Sequence, residues 1–164
     1  MAGLNPAQLL VLKADILADS SFNNQPHNSD GAFFIAKAYN LEAAGPFIVW
    51  RTNVDRDEIQ QLAAFDWTLV DNLTVGKGRI WEWMFMRGAA INPSMVNVRA
   101  GIAACWVGSA PLVAVQTAIL NQCKRNASRV EKLFAVGTGS TASPATMAVE
   151  GPIDFNVVVG AMGW

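Results

Sequence analysis

Residues 76–90, GKGRIWEWMFMRGAA, carry the strongest evidence for the class of fold. At helical spacing their side chains form two neighbouring faces. One face holds Ile80, Trp83, Met84 and Arg87, and the adjacent face holds Trp81 and Phe85. A helix that is apolar over most of its circumference has little to show to water. The stretch therefore predicts a helix whose apolar surface a monomer would have difficulty covering.

Further helices are predicted on both sides of this one. Asn5 followed by Pro6 is a good helix start, because the Asn side chain can accept from a free backbone N–H and Pro at the first helical position loses no hydrogen bond. Asn92 with Pro93, and Ser109 with Pro111, indicate two more starts. The other helical stretches are 32–40, 53–65 and 129–137. The predicted fold is mainly α, a compact bundle of six or seven short helices.

Two segments do not follow the helical pattern. Residues 47–52, FIVWRT, predict one short extended segment, which lies on the helices or pairs with another chain, since a lone strand cannot pair with itself. Residues 137–152, GTGSTASPATMAVEGP, have no helical period and predict an extended arm or a long loop. The chain then ends in IDFNVVVGAMGW, an apolar segment that we expect to dock on its own core or on a neighbouring subunit. The predicted domains are a helical domain, 1–136, and an extended C-terminal arm, 137–164.

The composition is more apolar than a monomer of this size needs. Only 15% of the 164 residues are charged and 52% are hydrophobic, whereas soluble domains have about 25% charged residues. Such a composition excludes intrinsic disorder, and no run of residues approaches the length of a membrane span. Lys13 and Asp15 interrupt the apolar pattern at the N-terminus, which predicts an amphipathic helix and not a secretory leader. The apolar excess indicates contact with partners.

Charge is distributed unevenly along the chain. Residues 1–75 carry a net charge of −5 and residues 76–132 a net charge of +6. This asymmetry suits subunits that meet acidic part to basic part, or a face that binds nucleic acid, or it reflects solvated charges around one core. For DNA, one group of candidates is Lys77, Arg79, Arg87 and Arg99. The second group forms one stripe if residues 124–132 are helical, and it comprises Lys124, Arg125, Arg129 and Lys132.

The sequence gives no sign of catalytic, metal or cofactor chemistry. His27 is the only histidine, and it lies in an Asn-rich loop, which favours a surface position over a catalytic one. Cys105 and Cys123 fall within apolar helices, where a free cysteine acts as a small hydrophobic residue. Glu82 lies between two indoles, and we expect it to pair with Arg79 or Arg87. The prediction is a protein that is not an enzyme and binds no metal or cofactor.

Three stretches of the sequence resemble a known family. They are SDGAFFIAKAYN at 29–40, FIVWRTNV at 47–54 and NASRVEKLFAVGTGSTASPATMAVEGPI at 126–153. These stretches are similar to those of a family of small, mostly uncharacterised proteins encoded by tailed bacteriophages that infect Gram-negative bacteria. The resemblance spans nearly the whole chain and implies a structural part of the virion, assembled in the host cytoplasm. It brings no catalytic residues with it.

Within that class, the resemblance and the apolar excess together favour a ring-forming head-to-tail connector or neck component. Its partners would be further copies of the chain, the portal and tail proteins and, without sequence specificity, packaged DNA. The alternatives are a capsid decoration protein, a tail component, or a small phage effector that binds and inhibits a host protein. The residues predicted to contact other subunits or partners are Phe47, Val49, Trp50, Trp81, Phe155, Met162 and Trp164.

Overall fold

The computed structural model describes residues 3–86 and 88–164. Arg87, predicted above as a DNA or Glu82 contact, lies outside the described residues. The helices in the described part are α1 (Pro6–Ala18), α2 (Ser20–Asn23), α3 (Ser29–Asn40), α4 (Arg56–Gln60), α5 (Trp67–Asp71), α6 (Val75–Met84), α7 (Val96–Cys105), α8 (Ala110–Gln122), α9 (Arg129–Phe134) and α10 (Phe155–Met162). The strands are β1 (Ile48–Trp50), β2 (Val54–Asp55), β3 (Ala90–Ile91), β4 (Lys124–Asn126), β5 (Ala135–Val136) and β6 (Thr146–Met147).

The chain divides into two compact units. Unit 1 comprises Met1–Val49 and Asn126–Trp164, and unit 2 is the intervening segment Trp50–Arg125. Each unit has its own hydrophobic core. The division differs from the predicted boundary between residues 136 and 137, because the C-terminal segment packs with the N-terminal helices.

Unit 1 is built around α1, α3 and α10. Asn5 caps α1 as predicted, through a reciprocal pair of hydrogen bonds with Gln8. α10 packs against both α1 and α3 and buries Val158 between them. The core of the unit contains Leu12, Ile16, Phe22, Ala32, Ile35, Ala36, Tyr39, Val130, Ile153, Val158 and Ala161.

Unit 2 has an aromatic core on one side of α6. Trp81 makes T-shaped contacts with Phe85 and Trp106, whose ring centroids lie 5.1 and 5.3 Å away. Phe65 contacts Trp106 edge to face at 5.5 Å. Such edge-to-face pairs add to the free energy that apolar burial supplies. The remaining core residues come from the surrounding elements and include Val54, Ile59, Ile91, Ile102, Cys105, Val115, Ile119 and Cys123.

The strands form three two-stranded sheets, β1 with β4, β2 with β3 and β5 with β6. β2 and β3 are antiparallel, with Val54 opposite Ile91, and β5 and β6 are antiparallel, with Ala135 opposite Met147. All six strands have two or three residues. The sheets are therefore short local pairings in a mainly helical chain.

The mainly α class is confirmed, since about half of the chain is helical. The predicted count of six or seven helices is too low, because α2, α5 and α10 were not expected and the described residues contain ten helices. Residues 47–52 do contain a strand, but five further short strands accompany it. No helix among residues 3–86 and 88–164 is long and apolar enough to cross a membrane.

The prediction of an extended arm at 137–164 is wrong. Gly137 and Gly139 have positive φ angles and turn the chain back, so that β6 pairs with β5. Asp154 then caps α10 by accepting from the backbone N–H of Val157 at 3.0 Å, and Gly163 ends the helix in the left-handed conformation. The segment docks on its own unit, the first of the two outcomes expected for the apolar end.

Candidate interaction surfaces

An apolar groove runs along α3 in unit 1 and has a volume of about 470 Å³. Its most exposed apolar side chains are Phe33, which is 64% exposed, Leu41, at 60%, and Phe155, at 39%. We call it the α3 groove. Its lining residues are Phe33, Ala36, Lys37, Asn40, Leu41, Pro152, Ile153, Asp154 and Phe155.

The two walls of the α3 groove are held together by one side chain. Asn40 Nδ2 donates to the carbonyl of Ile153 at 2.8 Å, and Asn40 Oδ1 accepts from the N–H of Ile153 at 2.9 Å. This amide therefore replaces a strand partner for the backbone of Ile153. These two hydrogen bonds fix the segment that precedes α10 against the last turn of α3.

A second groove lies between α6 and α7 in unit 2 and has a volume of about 300 Å³. Trp83 is 66% exposed at its edge and Ile80 is 40% exposed. Gly101 allows α7 to approach α6 closely, because a Cβ at this position would lie 3.0 Å from Met84 Sδ. We call it the α6 groove. It is lined by Ile80, Trp83, Met84, Asn97, Val98 and Gly101.

The two predicted faces of the 76–90 helix have different surroundings. Trp81 and Phe85 lie in the aromatic core, whereas Ile80, Trp83 and Met84 line the α6 groove. The face with Trp81 is therefore buried in the core, and the face with Trp83 lies at the surface. The sequence indicated both faces but not which of them the core would take.

The predicted contact residues are mostly used within their own unit. Val49 and Trp81 are buried within the chain, which does not favour contact with a partner, and their contact stays a prediction. Trp50 lies between two cations, with Arg99 4.6 Å and Lys124 5.4 Å from its ring centroid.

Of the other four, Phe155 alone is an exposed residue and lines a groove. Phe47 lies beneath Gly139 and the ammonium group of Lys132. Trp164 stacks on His27, with 4.9 Å between the ring centroids, and the carbonyl of Met162 accepts from Lys13 Nζ at 3.4 Å. Sequence reasoning missed Phe33 and Leu41, although the adjacent pair Phe33 and Phe34 was a usable signal. It placed Trp83 on an apolar face but did not include it among the partner contacts.

The basic stripe predicted at 124–132 does not lie on one helix. α8 ends before Cys123, Lys124 and Arg125 belong to β4, and a new helix begins at Arg129. Within that helix, Arg129 and Lys132 line a cleft of about 440 Å³ together with Asp15. Contact with DNA stays a prediction, but the helical geometry on which it depended is wrong.

Arg129 is enclosed by acidic and aromatic groups. Its Nη2 donates to Asp15 Oδ2 at 3.1 Å and its Nη1 donates to Asp19 Oδ2 at 3.0 Å. The guanidinium carbon lies 4.6 Å from the ring centroid of Phe22 and 4.7 Å from that of Tyr39. Two charge-assisted hydrogen bonds and two cation–π contacts hold the side chain within unit 1. Its role is to join α9 to α1 and α3.

Ionisation in this cluster follows from the same contacts. The Tyr39 hydroxyl donates to Asp15, and burial together with that hydrogen bond raises the pKa of Tyr39. Hydrogen bonds from Ser21 and from Arg129 lower the pKa of Asp19. At neutral pH, Tyr39 is therefore protonated and Asp19 is a carboxylate that accepts from Arg129.

A second ion pair is found in unit 2. Arg51 Nη1 and Nη2 donate to Glu58 Oε2 and Oε1 at 2.7 and 2.9 Å, and Gln122 Nε2 donates to Glu58 Oε2 at 2.8 Å. The hydrogen bonds from Arg51 lower the pKa of Glu58 to about 2. Arg51 follows β1, Glu58 lies in α4 and Gln122 ends α8, so these hydrogen bonds join the three elements within unit 2.

Both cysteines are buried within the described part of the chain. Burial raises the pKa of the Cys123 thiol to about 12 and also raises that of Cys105. Both thiols are therefore protonated at neutral pH, and the thiolate is the reactive form. In the described part of the chain, no group of three or more His, Cys, Asp or Glu residues is placed to hold a metal ion.

Comparison of the chain with protein-family models, with curated proteins and with solved structures gave no match.

Proposed function

We propose that this chain is a structural protein of a tailed bacteriophage particle that functions as a homo-oligomer, in the form of a ring-forming head-to-tail connector or neck component. The single observation that carries the proposal is the pair of apolar grooves, each edged by large exposed side chains such as Phe33 and Trp83. Monomeric soluble proteins rarely expose contiguous apolar surface of this kind outside functional sites. The resemblance to small tailed-phage proteins supports the choice of a virion as the assembly.

The role in such a particle is mechanical. The helices of each unit form the wall of the ring, and the grooves bind neighbouring subunits or the portal and tail proteins. Contact with packaged DNA would fall to exposed basic residues outside the Arg129 cluster, because Arg129 is already paired with Asp15 and Asp19.

Mass spectrometry of purified particles of the encoding phage tests the proposal. We expect the chain among the virion proteins, in a copy number that is a small multiple of the ring order. Tail-less or head-only particles from a deletion of the gene would support a connector. Absence of the chain from particles would reject the proposal and favour the effector that binds a host protein.

A further inference from the structure

The two grooves have the chemical character of the centre of a protein interface. The α6 groove presents Trp83, Ile80 and Met84, and the α3 groove presents Phe33, Leu41 and Phe155. Aromatic residues and methionine are enriched at the centres of interfaces, and tryptophan is enriched among the residues that carry most of the binding free energy. Such a surface is therefore present in the described part of each unit.

The two units carry opposite net charges. The segments of unit 1 contain four basic and seven acidic residues, a net charge of −3. Unit 2 contains eight basic and six acidic residues, a net charge of +2. Contact between two copies of unit 1, or between two copies of unit 2, brings like charges together. Contact between unit 1 of one copy and unit 2 of another brings opposite charges together, which favours both specificity and the rate of association.

From the grooves and the charges we infer that the α6 groove of one copy of this chain docks on the α3 groove of the next copy. The inference rests on the proposed function and specifies the pairing within the homo-oligomer. The contact is heterologous, since different surfaces of the two copies meet. Heterologous contacts repeat from copy to copy and form a closed ring when the rotation between neighbours closes.

Two variants separate this arrangement from every symmetric one. Phe33→Lys places a cation in the α3 groove, and Trp83→Lys places a cation at the α6 groove, so that the two altered grooves repel each other. Both positions are more than half exposed, so the fold tolerates either change. In a solution of one variant, the unaltered groove of each copy can meet only an altered groove of another copy. We therefore expect each variant to be monomeric, with self-association weakened by about thirtyfold or more. An equimolar mixture retains one complementary pair of grooves and is expected to give a heterodimer that grows no further.

Analytical ultracentrifugation and native mass spectrometry read this result directly. Leu10→Lys in unit 1 and Val75→Lys in unit 2 are the matched controls, because both side chains are highly exposed and neither lines the α3 groove or the α6 groove. The controls should assemble as the wild type does, and circular dichroism should show the same helicity in all four variants.

Three outcomes would overturn the inference. They are a single variant that still dimerises, a mixture that remains monomeric, and a wild-type chain that remains monomeric at high concentration. The outcome is separate from that for the proposed function. A chain found in virions whose variants fail to complement each other is a virion protein with a different pairing, and a chain that complements but is absent from virions assembles elsewhere.

Discussion

Phe47 shows how one glycine determines the position of a whole segment. Its ring lies against Gly139, where an added Cβ would come within 2.4 Å of a ring carbon, and the Gly139 carbonyl accepts from the N–H of Ile48 at 2.7 Å. Gly139 also has a φ of 65°, a conformation that glycine adopts without cost. These contacts hold the turn that brings β6 back to β5.

Replacement of Gly139 by Ala should therefore be destabilising in two ways. The left-handed backbone costs about 1 kcal/mol for a residue with a Cβ, and the collision with the Phe47 ring should bring the total to about 2 kcal/mol or more. Gly151→Ala is the matched control, since its φ is 86° but nothing lies within 4 Å of an added Cβ. Urea unfolding measures both, and equal losses for the two variants would show that the Phe47 contact contributes nothing.

The Arg51 and Glu58 pair makes a pH-dependent contribution to stability. The pKa of Glu58 is lowered to about 2 in the folded protein from an ordinary value of 4.5. A carboxylate with a lowered pKa stabilises the fold above its unfolded pKa, and the contribution is lost as the pH falls through the folded pKa. Glu58→Gln should therefore be less stable than the wild type at pH 7, and the difference should shrink from about pH 4.5 to about pH 2.

Urea denaturation of unit 2, followed by tryptophan fluorescence across that pH range, measures the difference. Asp71→Asn, at an exposed position at the end of α5, is the control for the general effect of removing a carboxylate. A Glu58→Gln deficit that persists unchanged at pH 2 would show that the loss comes from altered packing and not from the ionised pair.

At the scale of elements, α10 differs most from the sequence-based prediction. Its sequence, FNVVVGAM, contains three β-branched residues and a glycine, which lower helix propensity. Packing against α1 and α3 provides the stabilisation of the helix that its own sequence lacks. The two signals that could have identified the helix are its ends, an Asp cap at 154 and a left-handed Gly at 163.

The same element leads to a prediction about stability. Val158 is fully buried in α10, so Val158→Asp should destabilise unit 1 by about 3 kcal/mol or more, because a charge enters an apolar core. Asn156→Asp changes a neighbouring exposed position of α10 to the same residue and should alter stability by less than about 0.5 kcal/mol. Thermal unfolding compares the two, and similar melting temperatures would mean that α10 is not docked.

Local signals determined what could be predicted of the fold. The start of α1 at Asn5 and Pro6 was predicted, since an Asn cap followed by Pro is a signal carried by two adjacent residues. The division between Trp81 and Trp83 was not, because periodicity identifies faces and only packing selects the buried one. The environment of Arg129 was not predicted either, since its carboxylate partners lie 110 and 114 positions away in the chain. Contacts at that separation leave no periodic pattern.

At the scale of the whole molecule, the division of charge and apolar surface follows the two units and not the stretches 1–75 and 76–132. The net charges of residues 1–75 and 76–132 differ by more than the net charges of the two units do. The difference is smaller between the units because residues 1–49 fold together with the segment after residue 125. Folding in this way neutralises part of the asymmetry, with Arg129 bound to Asp15 and Asp19 as the clearest example. The charge difference that remains between the units is available to neighbouring copies.

That residual difference predicts how assembly responds to salt. Raising NaCl from about 0.1 M to about 1 M shortens the Debye length from about 10 Å to about 3 Å and screens exposed charges. If unit 1 of one copy meets unit 2 of the next, the dissociation constant should rise several-fold over this range, mainly through slower association. Sedimentation velocity at each salt concentration measures the constant, and circular dichroism checks that each chain stays folded. An interface between like-charged units would tighten as salt increases, because screening removes repulsion, so the sign of the change discriminates between the two pairings.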